Sequence, residues 1–361
     1  MRTAREDATL GAEGAVALLS RLSPAFEKVD SSSGALGAAV NDVIAALTPL
    51  VGTPALAPEE RQRLLERLWN SVNEDDLGYL DALERRWGAC CGPAEYAAAW
   101  ADERLEPVGE YLAAERSGYR KGTVATLSAL YTAGRYADIL ALLDRARIVR
   151  WPYREWGFEA LLALGRSADA LRYANESRGT NDGPAVDAAC ERVLLASGLA
   201  EEAYRCYAMA AVPYRTTNLA VFRLMCEKYA GIDRRRILED LAAREAGREG
   251  RWFAAAVSAG FLDTALALAE RSPADPHTLL RAARKHVVKH PRFALETAFL
   301  TLHSIAAGWG FDVSALDAIE AVAVAREAAA ALDCEPEFER RLHAEAIVND
   351  RFLRDALRLA R

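Results

Sequence analysis

Apolar residues recur three and four positions apart along most of the chain, the spacing that places them on one face of an α-helix. The clearest example opens at Pro58, where proline and two acids occupy positions favoured in a first helical turn. It continues with one apolar stripe, formed by Leu64, Leu65, Leu68 and Val72. Residues 76–87 and 93–105 show the same pattern, and the alternation typical of strands is scarce. The pattern therefore predicts an all-α protein.

A short motif recurs from about residue 120 onward, each time around a glycine. Four copies align without gaps at residues 132–140, 163–171, 196–204 and 258–266, and their glycines are Gly134, Gly165, Gly198 and Gly260. The glycines are 31, 33 and 62 residues apart, and the longest interval leaves room for a divergent unit around Gly231. A period near 31 residues accommodates two short helices and two turns. Each copy therefore predicts one helical hairpin with the glycine at its bend.

Positions around each glycine predict how the hairpin packs. Glycine permits the left-handed backbone that ends a helix, and its missing side chain lets the second helix come close. We place three leucines, four residues before the glycine, on the inner face: Leu130, Leu161 and Leu194. Five residues after it we expect a mostly small residue at the helix crossing: Ile139, Ala170, Ala203 and Ala265. The next position carries a larger residue that we expect to fill the core: Leu140, Leu171, Tyr204 and Leu266.

One hairpin cannot bury such faces alone, so neighbouring hairpins must stack. The predicted architecture is a right-handed α–α superhelix, a solenoid of helical hairpins. We predict three regions: residues 1–118 form an irregular N-terminal helical region, residues 119–272 hold the repeats, and residues 273–361 form a C-terminal helical region. Within the last region, an amphipathic helix over 351–361 is expected to act as a cap, and Ser31–Gly34 is expected to break a helix in the first.

The segment Gly134–Leu140 resembles the tetratricopeptide repeat, and the resemblance extends over roughly residues 120–271. In that family the concave face holds an extended segment or a helix of a partner protein. The first half, through residues 29–40, 64–68 and 75–83, looks like an uncharacterised bacterial helical-repeat family whose members sometimes accompany SWIM-type zinc fingers. This second resemblance implies no activity, and the cysteine and histidine spacing of the zinc finger does not occur in the chain.

Composition narrows the class of protein. The chain has 361 residues, of which 52% are hydrophobic, so it is long and apolar enough to bury a core. A net charge of -7 disfavours both disorder and general coating of nucleic acid. The acidity lies in residues 1–120, where 20 acids face 12 bases.

Targeting and redox signals point to the cytoplasm. Residues 1–20 carry acids where a signal peptide needs an apolar stretch. The longest uncharged run, residues 43–58, is shorter than the roughly 20 residues of a membrane span and contains three prolines. Six sparse cysteines do not form a disulfide framework. We therefore expect a cytoplasmic protein with reduced thiols and no membrane partner.

Catalytic motifs are missing from the sequence. There is no P-loop, no HExxH, no GxSxG and no CxxC, and Gly308-Trp309-Gly310 lacks the third glycine of a dinucleotide fingerprint. We predict no catalytic residue and no cofactor. An enzyme whose site is assembled from dispersed residues remains an alternative.

Two histidines raise the question of a metal site. His286 and His290 are four residues apart and would share a helix face. Lys285 and Lys289 repel a metal cation, and Pro291 disfavours helix at the preceding residue. We therefore assign no metal site and expect the histidines on a solvated helix.

The same stretch suggests a basic patch along one helix face. It comprises Arg281, Arg284, Lys285, Lys289 and Arg292, with no acid between Asp275 and Glu296. The patch is either a solvated face, or a partner for the acidic first third, or a contact for phosphate, nucleic acid or an acidic peptide.

The second candidate surface follows the first helix of each hairpin. Residues thirteen, ten, six and three positions before the glycine form one stripe. Its polar and aromatic members define the inner stripe: Lys121, Ser128, Tyr131, Glu155, Glu159 and Arg192. The stripe either lines a groove for a partner protein or is filled by the protein's own helices. We predict a non-enzymatic protein-interaction scaffold, with nucleic-acid or phosphate binding through the basic patch as the alternative.

Aromatic residues and vicinal cysteines are assigned to structure. The seven tryptophans are scattered along the sequence, and Trp151, Tyr153 and Trp156 are expected to pack in the core. Cys90 and Cys91 lack a charged neighbour that would lower their pKa, so we expect them to be inert.

Overall fold

A computed structural model of the chain describes residues 7–26, 35–114, 119–147, 150–179, 182–212, 217–344 and 352–354. Within these ranges every regular element is helical and no strand occurs, which confirms the all-α prediction. The predicted break at Ser31–Gly34 lies outside the described residues. Of the predicted cap at 351–361 only residues 352–354 are described; they are helical, and Leu353 is buried.

The chain divides into two compact units, residues 1–193 and 194–361, so the division falls inside the predicted repeat region. The helices of the first unit are α1 (Ala8–Phe26), α2 (Ala35–Val51), α3 (Pro58–Glu74), α4 (Asp81–Arg85), α5 (Trp87–Cys91), α6 (Ala94–Asp102), α7 (Leu105–Ala113), α8 (Thr123–Thr132), α9 (Tyr136–Asp144), α10 (Trp151–Ala163) and α11 (Ser167–Glu176). Helix α12 (Gly183–Ala196) ends three residues beyond the division.

The second unit continues with α13 (Ala200–Ala203), which runs into a π-helical turn at Tyr204–Ala208. The remaining helices are α14 (Asn218–Lys228), α15 (Arg234–Ala243), α16 (Phe253–Ala259, preceded by a 3₁₀ turn at Glu249–Trp252), α17 (Leu262–Arg271), α18 (Pro276–His286), α19 (Pro291–Ala306), α20 (Ala315–Ala330) and α21 (Glu335–Ala344). Helices α18, α19 and α20 pack on one another around an apolar core that includes Leu295, Phe299 and Leu302.

Helix α3 confirms the prediction from Pro58, since its predicted apolar stripe is buried. The prediction of one helix over 76–87 is wrong. The Asp75 carboxylate accepts hydrogen bonds from the Leu80 N–H and the Ser23 hydroxyl, both at 2.6 Å, and so stabilises a non-helical turn. Gly78 is left-handed within this turn, and helix starts only at Asp81.

Each repeat glycine lies at the bend between two helices, as predicted. Gly134, Gly165, Gly198 and Gly260 all have φ between +71° and +82°. At Gly134 the glycine N–H donates to the Tyr131 carbonyl and the next N–H donates to the Leu130 carbonyl, at 3.0 and 2.9 Å. The same pair of bonds recurs at the other three glycines, and it closes each first helix with a Schellman motif.

Close helix packing at these glycines was predicted and is wrong. A Cβ atom added at any of the four would meet nothing within 4 Å. The glycines are therefore required by the left-handed backbone alone. Gly231 also lies between helices, but it does not adopt a positive φ.

The residue five positions after each glycine is buried, as predicted, with 0% exposure at Ile139, Ala170, Ala203 and Ala265. At the next position only Tyr204 is buried, whereas Leu140, Leu171 and Leu266 are half-buried. The expectation that this position fills the core is confirmed at Tyr204, and Leu140 packs against the core from a half-buried position. Adjacent residues of a helix point about 100° apart, so the second of the two lies toward the edge of the buried face.

Candidate functional site

The part of the inner stripe that lies on α8 is covered by other helices. Residues 123–130 are all buried, because α4, α5 and α6 pack against this helix. The Ser128 hydroxyl accepts a hydrogen bond from the Gly88 N–H and donates one to the Arg85 carbonyl, both at 3.1 Å. The prediction that Ser128 lines an accessible groove is wrong, since the protein's own helices fill that part of the stripe.

Lys121 has a structural role as well. Its ammonium donates to the carbonyls of Val72, Asn73 and Asp75, at 2.8, 3.1 and 2.6 Å. These carbonyls lie at the C-terminal end of α3, where a cation is favoured. All three ammonium donors are thus occupied by backbone carbonyls. That Lys121 contacts a partner stays a prediction.

Tyr131 marks the edge of the closed region. Its half-buried ring contacts Tyr136 and Trp156 edge-on, with centroids 5.4 and 5.8 Å apart. Burial raises the pKa of the Tyr131 phenol, and the carboxylate of Glu159 raises it further. The tyrosine therefore remains a neutral hydroxyl beside the charged part of the stripe.

The part of the inner stripe that lies on α10 and α12 is accessible to solvent. Glu155 forms an ion pair with Arg85, the last residue of α4, and Glu159 forms one with Arg192 of α12. The guanidinium of Arg192 also lies 5.8 Å from the centre of the Phe158 ring. Three of the four charged side chains are 27% to 46% exposed, and Arg192 is 56% exposed. The structure thus brings together Glu155, Glu159 and Arg192 and adds Arg85, which the sequence pattern did not indicate.

Arg85, Glu155 and Arg192 border a surface cavity of about 540 Å³, which we call the paired-charge groove. It is lined by Arg85, Trp151, Pro152, Glu155, Asp182, Ala185, Ala188, Ala189 and Arg192. Its floor is apolar, and the charged side chains that line it are two bases and two acids. Such a surface can hold small side chains on the floor and offer hydrogen-bond donors and acceptors at the rim.

The basic patch is smaller than predicted and does not lie on one helix. Helix α18 ends at His286, so Lys289 lies in the following turn and Arg292 lies in α19. Arg284 pairs with Glu320, and Arg292 pairs with Glu296 at 3.1 Å, so local acids neutralise both. The remaining cations, Arg281, Lys285 and Lys289, are exposed and form no ion pair with any described residue.

The two histidines of the basic stretch flank the turn after α18. Their ring centroids are 5.5 Å apart, and His286 packs edge-on against Phe293 at 5.3 Å. Burial lowers the pKa of His286, and the nearby His290 and Lys285 lower it further. His286 is half-buried, so the expected solvated position is wrong for it. Among the described residues, no group of three histidine, cysteine or acidic side chains is placed to hold a metal ion.

A second groove, which sequence reasoning missed, lies between α3 and α6. Three tryptophans described above as scattered meet here: Trp87 lies 4.9 Å from Trp69 and 5.3 Å from Trp100 between ring centroids. The rings of Trp69 and Trp100, with Tyr96, line a cavity of about 650 Å³ that we call the aromatic groove. The spacing of four from Leu65 to Trp69 and from Tyr96 to Trp100 was the available signal.

The vicinal cysteines and the aromatic residues of α10 have structural roles. Trp151 and Tyr153 are buried, which confirms their assignment to the core, and Trp156 is half-buried. Burial raises the pKa of Cys90 and of Cys91 to about 12, so both thiols remain protonated and unreactive near neutral pH.

The described part of the chain contains no helix that is both long and apolar enough to traverse a bilayer. Comparison of the chain with protein-family models, with curated proteins and with solved structures finds no match.

Proposed function

We propose that the protein is a non-enzymatic interaction scaffold whose paired-charge groove binds an extended segment or a helix of a partner protein. The observation that carries this proposal is the open groove across α10 and α12, where Arg85, Glu155 and Arg192 flank an apolar floor, and Glu159 pairs with Arg192 beside the groove. In this proposal the hairpins stack as a right-handed, tetratricopeptide-like solenoid, supported by the four glycine bends and by the packing of α8 on α10. No disulfide joins the six cysteines, which fits the cytoplasm.

The charges favour a partner segment that carries both signs. Exposed ion pairs contribute only about 0–1 kcal/mol to folding, so a ligand can replace one member at low cost. A partner carboxylate would compete for Arg85 or Arg192, and a partner cation would compete for Glu155 or Glu159. Small side chains of the partner would then rest on Ala185, Ala188 and Ala189 of the groove floor.

Site-specific cross-linking tests the proposal. We replace Ala188 by benzoylphenylalanine and irradiate the protein in an extract of its host cells, then identify the products by mass spectrometry. We expect one discrete cross-linked protein, and we expect the double variant Glu155→Lys with Glu159→Lys to reduce its yield about tenfold. The melting temperature should change by only a few degrees, because exposed ion pairs contribute so little.

Two controls make the result specific. Benzoylphenylalanine at the exposed Ala168 of α11 should not capture the same protein. Glu106→Lys removes a comparable exposed ion pair with Arg145 and should leave the yield unchanged. Capture at Ala188 that survives reversal of both glutamates, or the same capture from Ala168, would show that the groove is not the binding site.

One observation favours a second candidate function, binding of phosphate groups or nucleic acid. Arg281, Lys285 and Lys289 are exposed cations without an ion-pair partner among the described residues. Binding of a labelled 20-nucleotide single-stranded DNA should weaken steeply with salt and disappear when all three residues become glutamate. The single variant Arg340→Glu, on α21, should bind as the wild type does. Binding that is insensitive to salt, or that survives the triple variant, would remove this candidate.

A further inference from the structure

The aromatic groove has an apolar floor and a polar wall. Leu65 and Trp69 of α3 face Tyr96 and Trp100 of α6 across the floor. One polar stripe of α3 forms the wall at the mouth: Glu59, Gln62, Glu66 and Asn70. These residues follow intervals of three and four, so they lie on one side of the helix. The volume of about 650 Å³ is within the range of known ligand sites.

The groove already holds one cation on an indole ring. The guanidinium of Arg104 lies 4.0 Å from the centre of the Trp100 ring and donates to the Trp100 carbonyl at 3.1 Å. It also pairs with Glu103 at 2.7 Å. An indole, a guanidinium and a carboxylate thus form a complete cation–π site within this groove.

Trp69 and Glu66 provide a second indole and a second carboxylate in the same groove, without a guanidinium. Glu66 lies three residues before Trp69 on α3, and Glu103, directly after the end of α6, lies three residues after Trp100. The Glu66 carboxylate accepts a hydrogen bond from Gln62 at 3.0 Å but forms no ion pair with any described residue. No described cation lies over the Trp69 ring either.

The charges of the groove select against an anion. Arg61 is only 1% exposed, and it donates to the carbonyls of Cys91 and Thr53 at 3.0 and 2.7 Å. Its guanidinium lies 4.8 Å from the centre of the Tyr96 ring. Arg104 is already paired with Glu103, so the charges left exposed at the mouth are those of Glu59 and Glu66.

We infer that the aromatic groove is a docking site for a basic peptide segment of a partner protein, with one arginine side chain over Trp69 beside Glu66. The net acidity of residues 1–120, which carry 20 acids and 12 bases, agrees with a basic partner. The three-turn length of the groove along α3 suits a segment with flanking apolar residues that contact Leu65 and Tyr96. This site is separate from the paired-charge groove and does not depend on it.

Fluorescence anisotropy with the full chain tests the inference. The probe is a labelled nonapeptide of alternating arginine and leucine, and its matched control carries citrulline, which is neutral and nearly isosteric, in place of arginine. We expect the arginine peptide to bind about tenfold or more tightly than the citrulline peptide. Glu66→Gln should weaken binding about threefold, and Trp69→Leu should weaken it about tenfold.

Glu95→Gln, an exposed residue of α6 that does not line the groove, changes the net charge as Glu66→Gln does and should bind as the wild type. Glu66→Gln alters only an exposed side chain, so it tests the site even where Trp69→Leu disturbs the core. Equal affinity for the two peptides, or equal effects of Glu66→Gln and Glu95→Gln, would overturn the inference. If arginine methyl ester bound as tightly as the arginine peptide, the groove would be a site for a small cation, and the peptide partner would be refuted.

Discussion

Gly88→Ala is expected to lower the free energy of unfolding of the first unit by about 3 kcal/mol. Gly88 belongs to α5, which packs directly on α8. A Cβ atom at this position would lie closer than 3.0 Å to the Ser128 carbonyl oxygen and to the side chain of Thr132. The carbonyl is backbone and cannot rotate away, so α5 and α8 must separate. Urea unfolding followed by tryptophan fluorescence measures the loss, because Trp69, Trp87 and Trp100 report on this core.

Alanine substitutions at two other glycines distinguish the effect of crowding from the effect of backbone conformation. Gly14 lies within α1 with no atom near its added Cβ, so Gly14→Ala should raise stability by about 0.5–1 kcal/mol. Gly134 has equal space but a φ of +71°, so Gly134→Ala should cost about 1–2 kcal/mol. If Gly88→Ala proved no more harmful than Gly134→Ala, the close contact of α5 with α8 would be wrong.

Glu84→Ala is expected to lower the free energy of unfolding by about 3 kcal/mol, because it removes a buried carboxyl group. Glu84 has no exposed surface. Its carboxylate accepts hydrogen bonds from the Tyr119 hydroxyl at 2.5 Å and from the N–H groups of Gly122 and Ala125 at 3.0 and 3.3 Å. Without it, the buried N–H groups of Gly122 and Ala125 at the start of α8 have no acceptor. Urea unfolding measures the change.

Glu84 should also make stability depend on pH. Burial raises the pKa of Glu84 above its ordinary value of 4.5, against the opposing effect of the three hydrogen bonds. A carboxyl whose pKa is higher in the folded chain stabilises the fold fully below its unfolded pKa, and this contribution is lost as pH rises through the folded pKa. The stability of the wild type relative to Glu84→Gln should therefore fall as pH rises from 4.5. A relative stability that rises over the same interval would contradict this assignment.

Local features were predictable because they depend on neighbours in the sequence. The helix from Pro58 follows from its periodicity and its first turn. The bends at Gly134, Gly165, Gly198 and Gly260 follow from the backbone freedom of glycine, and their closing hydrogen bonds span only three to five residues. By contrast, the start of α4 was mispredicted, because a hydrogen bond that Ser23, 52 residues earlier, donates to Asp75 stabilises the turn before this helix.

The candidate sites depended on contacts between distant residues. Periodicity identified Ser128 as part of a stripe, but it could not show that α5, 40 residues earlier, covers that stripe. The same limit applies to Lys121, which caps α3, and to Trp69, Trp87 and Trp100, which meet only after folding. The sequence by itself determined that the chain is helical and where several helices end. Only the tertiary structure decided which faces stay open, because apolar spacing marks a face for burial without specifying which helix covers it.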